Sequence, residues 1–131
     1  MVTALRQSKS ALHVEDDEKW QKMLHRYLQE AGYDVIQTGN LQDAKARACR
    51  KKFDLYVVDG HFPLQQDELT SSESGKEFYN FIVQIYEKDV NYVFVSGGIV
   101  LKKWCNERGI RFFNKDVFSY GSFMAYLKSK Q

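Results

Sequence analysis

Three scarcities narrow the field before any motif is read. Cysteine is rare: only Cys49 and Cys105 occur, each inside a helix-like pattern and without CxxC spacing, so both read as reduced cytosolic thiols. Long apolar runs are missing, since nothing approaches the roughly 20 residues a bilayer span needs, and Met1 to Ser10 lacks the apolar segment and cleavage pattern of a secretory leader. A cytoplasmic protein without membrane association is expected. Excess charge of one sign is missing too: 19 basic and 17 acidic side chains leave a net +2, with the basic residues scattered, so direct nucleic-acid binding is not expected. No internal repeat or low-complexity segment is present. What the chain does have is apolar material, 44% hydrophobic and 15% aromatic over 131 residues, enough for one domain with a core of its own. Residues 1–9 read as a flexible N-terminal arm and residues 10–131 as that domain.

The chain is organised around FDLYVVDGHFP, Phe53 to Pro63. Leu55 to Val58 is a short apolar run without alternation, the pattern of a strand covered on both faces in a parallel sheet. It stops at one carboxylate, Asp59, where Gly60 and Pro63 turn the chain. In open α/β sheets ligands bind beyond the carboxyl ends of the strands, so an Asp there is either a site residue or a cap for the following turn.

The rest of the chain repeats this logic. Ala11 to Val14 is a short strand running into Glu15, Asp16 and Asp17. Trp20, Met23, Leu24, Tyr27, Leu28 and Ala31 then follow helical spacing up to Gly32. Asp34 to Thr38 gives a second strand and Leu41 to Arg50 a second helix. After the organising strand comes a polar, acidic stretch from Pro63 to Gly75 without periodicity, long for a strand-to-helix connection. Phe78, Phe81, Ile82 and Ile85 mark a third helix, and Tyr92 to Val95 a fourth strand ending at Ser96 and Gly97-Gly98. Val100, Leu101 and Trp104 lie on a fourth helix, Ile110 to Phe113 form a fifth strand ending at Lys115, and Phe118 to Lys130 a last helix. Five strands alternating with five helices predict a doubly wound parallel sheet with helices on both faces. Such a sheet brings Glu15, Asp16, Asp59, Ser96 and Lys115 to one edge.

Four motifs, VEDD at 14–17, VVDGHFP at 57–63, FVSGG at 94–98 and FFNKD at 112–116, stand in order at the ends of the first, third, fourth and fifth strands. From about Ser10 onward the chain resembles the response-regulator receiver domain of two-component signalling. The resemblance implies a (βα)5 flavodoxin-like fold of strand order 2-1-3-4-5. It implies that Asp59 is the phosphoacceptor, taking phosphoryl from a histidine kinase or a histidine phosphotransfer protein. It further implies an Mg2+ site formed by Glu15, Asp16, Asp59 and the backbone carbonyl of His61, with Lys115 and Ser96 contacting the phosphoryl oxygens. Oxygen ligands suit that cation, and a weak carboxylate nucleophile must be helped by positioning and charge neutralisation rather than by a base. Phe112, three residues before Lys115, stands where the family places the aromatic that turns with phosphorylation, with Ser96 as its partner. Asp17 reads as a cap for the first helix rather than a ligand. The His61 imidazole is expected to shape access rather than relay phosphoryl, and His13 and His25 read as structural or solvated. No dedicated enzyme is implied beyond the domain's own phosphorylation and dephosphorylation.

Three departures accompany the resemblance. Asp116 follows Lys115 where most members have proline, often after a cis bond. The Pro63 to Gly75 segment is several residues longer than usual and reads as a mobile flap over 64–74 beside the phosphorylation site that selects the donor, while the shorter Ser96 to Lys115 interval suggests a reduced fourth helix. The output is expected through a downstream protein or an output domain outside this chain. Two rival readings are a pseudo-receiver that binds proteins without phosphorylation and an aspartyl-nucleophile phosphatase; the latter needs a second acid where His61 stands.

Overall fold

A computed structural model describes residues 9–87 and 89–130. Strand β1 (Lys9–Val14) leads to helix α1 (Glu18–Glu30), β2 (Tyr33–Thr38), α2 (Leu41–Arg50) and β3 (Leu55–Val58). A short hairpin of β4 (Phe62–Pro63) and β5 (Thr70–Ser71) precedes α3 (Ser74–Tyr86), β6 (Tyr92–Ser96), α4 (Ile99–Arg108), β7 (Arg111–Asn114) and α5 (Tyr120–Ser129). The main sheet has the order β2-β1-β3-β6-β7, all parallel. With the hairpin set aside this is the expected order 2-1-3-4-5.

Because successive strand residues point to opposite faces, each strand feeds two cores. Leu12, Val14, Tyr56, Val58 and Phe94 pack with Ala44 and Ala48 of α2, Phe78 and Ile82 of α3, and Leu101 and Cys105 of α4. Ala11, Leu55, Val57, Val93, Val95 and Phe113 pack with Leu24 and Leu28 of α1 and Phe123, Met124 and Leu127 of α5. Every residue of β3 and β6 is buried, which is why those segments read as unbroken apolar runs. Local caps fix where helices start: Asp17 accepts from the Lys19 and Trp20 amides, Asn40 from Asp43, and Ser119 from Ser122.

Several boundaries differ from the sequence reading. Lys9 is already the first residue of β1, and the remainder of the expected arm lies outside the described residues. The long connection after β3 contains the β4–β5 ladder, Phe62 opposite Ser71 and Pro63 opposite Thr70. Two-residue strands are too short to show a period, so the sequence could not reveal them. Helix α4 has ten residues, as many as α2 and α5 and three fewer than α1 and α3. At the position usually held by proline, the Asp116 amide donates to Asn114 Oδ1 at 2.9 Å, a bond proline cannot make, and opens a 3-10 turn over Lys115–Val117.

Candidate functional site

Register brings the acids together. Val14 is paired with Val58, and the Asp59 amide donates to the Val14 carbonyl at 2.9 Å, so Glu15 and Asp59 leave neighbouring strands side by side. Val58 pairs with Phe94, Phe94 with Phe112, and Ser96 with Asn114, which delivers Ser96 and Lys115 to the same edge. Carboxylate oxygens of Glu15, Asp16 and Asp59 lie within 4.8 Å of one another. Lys115 Nζ stands 2.6 Å from Glu15 Oε1 and 3.4 Å from Asp59 Oδ2.

This is a buried site with unbalanced charge. Glu15 is 1% exposed and Asp59 7%, whereas Asp16 is exposed. Burial and the charge of Asp59 push the Glu15 carboxyl up to about 8, although Lys115 and the Asp17 amide pull the other way. Burial disfavours the Lys115 ammonium, but its hydrogen bond to Glu15 and the charges of Asp59 and Glu15 outweigh that and raise its pKa. Both shifts arise from the close approach of Glu15, Asp59 and Lys115 in a space largely closed to water, with Asp16 at its exposed rim; the carboxylates outnumber the one ammonium. The set offers only oxygen ligands, so it fits a hard divalent cation, which would remove that imbalance.

Packing fixes the surroundings. Ser96 is fully buried and its hydroxyl has no hydrogen-bond partner among the described residues, an unusual state for a buried donor. It lies next to Gly60, where an added Cβ would stand 3.1 Å from Ser96 Oγ and 2.2 Å from Leu101 Cδ2. Gly75, at the start of α3, comes so close that its Cβ would be 2.6 Å from the Asp59 carbonyl oxygen. The Lys115 ammonium also sits 5.1 Å from the centre of the Trp20 ring, which in turn meets Phe118 edge-on at 5.4 Å.

Of the residues singled out from sequence, Glu15, Asp16, Asp59 and Lys115 form one polar cluster and Ser96 stands beside the strand end that carries Asp59. His61 is half-buried, and its buried Nδ1 has no hydrogen-bond partner among the described residues. Phe112 is half-buried against the core that contains Leu101, and Trp104 flanks the same core. His13 is structural: it pairs with Gln37 at 2.8 Å, and burial pushes its imidazole down to about 4. Sequence reasoning missed Trp20, taken as one more apolar residue of α1, and Thr70, hidden in the stretch without periodicity; Thr70 Oγ1 donates to Asp16 Oδ2 at 3.3 Å.

No family model and no curated sequence matches the chain. Solved structures do. The signal receiver domain of an HD domain-containing protein from Pseudomonas fluorescens superposes with a TM-score of 0.77 at 20% identity, covering 98% of this chain and 90% of that one. The non-phosphorylated HemR receiver domain from Leptospira biflexa gives 0.73 at 25% identity, covering 93% of each. Chemotaxis protein CheY4 of Vibrio cholerae gives 0.74 at 21% identity, covering 95% of this chain and all of that one. The chain has the fold of response-regulator receiver domains.

Proposed function

We propose that this protein is a phosphoacceptor receiver domain in which Asp59 takes phosphoryl from a phosphohistidine donor. The observation that carries this reading is the position of Lys115, paired with both Glu15 and Asp59 inside a cluster of three carboxylates at the carboxyl edge of the sheet. An Asp59 carboxylate oxygen forms the bond to phosphorus as the P–N bond of the donor breaks, its electron pair returning to the imidazole nitrogen. Glu15, Asp16 and Asp59, with the His61 carbonyl, are assigned to hold Mg2+. Bound there, Mg2+ supplies the charge neutralisation that lets an anionic donor approach an anionic acceptor. Lys115 holds its ammonium against the acceptor, where it stabilises phosphoryl oxygens, and the unpartnered Ser96 hydroxyl is available to donate to one of them.

The partners assigned are a histidine kinase or histidine phosphotransfer protein on the donor side and a downstream protein or output domain on the other, in the cytoplasm. Residues 10–131 constitute the receiver domain in this reading. Acetyl phosphate with Mg2+, followed by intact mass, tests it. A lasting single phosphoryl adduct is expected; steady turnover would indicate a phosphatase, and no adduct a pseudo-receiver.

A further inference from the structure

We infer that Thr70 is a positioning residue for the cation site, holding Asp16 in the orientation that ligation needs. The inference rests on Glu15, Asp16 and Asp59 being that site. The three acids are not held alike. Glu15 is buried, accepts the Asp17 amide at 3.1 Å and pairs with Lys115, and Asp59 is buried against the same lysine. Asp16 is exposed, and among the described residues its side chain has one hydrogen-bond donor, the Thr70 hydroxyl at 3.3 Å. Without it the carboxylate would rotate freely in water and lose that freedom only on binding.

Thr70 is itself exposed, so its placement depends on what anchors β5. That anchor is buried. Ser74, fully buried, accepts the Phe62 amide at 2.8 Å and donates to the Ser71 carbonyl at 3.0 Å, tying both strands of the hairpin to the start of α3. Phe62 is also fully buried, and the Gln42 amide of α2 donates to the Leu64 carbonyl at 2.9 Å. The segment that is long for its place in the chain therefore forms a hairpin pinned at three points, and it carries one hydroxyl across 54 positions of sequence to the exposed acid. Partners that orient a ligating carboxylate commonly change metal affinity by about 10–100-fold. A water-exposed hydroxyl should act at or below the lower end of that range.

The test is calorimetric titration of the full chain with MgCl2, comparing wild type, Thr70→Val and Thr70→Ser. Valine keeps the shape and the strand preference and removes only the donor; serine restores it. Thr70→Val should weaken Mg2+ binding about three- to tenfold, Thr70→Ser should bind within about twofold of wild type, and the melting temperatures of all three in EDTA should agree. A Thr70→Val protein that binds Mg2+ as tightly as wild type overturns the inference alone, as does a serine variant as weak as the valine one. A wild-type protein that binds no Mg2+ overturns the proposed function together with it.

Discussion

Gly75 shows how little slack the site has at the scale of single residues. A methyl group there would meet the Asp59 carbonyl oxygen and Gly60 Cα, each at 2.6 Å, and both are backbone. Alanine gains about 1 kcal/mol over glycine in a helix, but forcing an atom into a filled space costs about 1–3 kcal/mol. Since rigid backbone cannot rotate aside, the upper end of that cost applies, and Gly75→Ala should lose about 2 kcal/mol in urea unfolding; equal stability would mean that α3 is free to shift. Cys105 offers a second residue-scale check. Burial pushes its thiol from an ordinary value of 9.0 up to about 12, while Cys49 is exposed. A thiol raised on folding stays protonated where the unfolded chain would ionise, so its burial weakens the fold only as pH climbs above about 9. At pH 8 a disulfide reagent should label one thiol promptly and the second only after unfolding; two fast equivalents in the native protein would contradict the burial of Cys105.

Among elements, α4 and β7 are where a phosphoryl group at Asp59 should be felt. Leu101 of α4 lies against Gly60 beside Ser96, and Phe112 of β7 packs half-buried on the same core. If Ser96 is drawn toward a phosphoryl mimic, the space beneath α4 changes and Phe112 can turn into it. Beryllofluoride with Mg2+ should shift NMR signals of Leu101 and Phe112 together with the amides from Gly97 to Trp104. Occupancy at Asp59 with those signals unmoved would remove the Ser96–Phe112 switch. Phosphorylation alters this equilibrium only through its different interaction with the two states, so a ring already partly inward would give a smaller response.

For the whole molecule, most of the architecture was legible because it rests on burial. β3 and β6 are covered on both faces and so read as apolar runs, and the stripe of Leu24 and Leu28 read as a helix for the same reason. The polar edge followed from topology once strands ended at Glu15, Asp59, Ser96 and Lys115. What stayed hidden depends on contacts distant in sequence. Thr70 meets Asp16 only through a hairpin whose strands are two residues each, and Trp20 meets Lys115 only because α1 and β7 converge on one edge. Helix α4 runs up to Gly109, whose left-handed conformation closes it. The central claim is that these convergent groups make Asp59 alone the phosphoryl acceptor and require a divalent cation. The most direct measurement is peptide-level localisation of the phosphoryl group after acetyl phosphate treatment, with Mg2+ or EDTA, on wild type and Asp59→Asn. The account predicts label on the peptide containing Asp59 in Mg2+ only, and none in the asparagine variant; label on another residue of the wild-type protein, or undiminished label in EDTA, would contradict it.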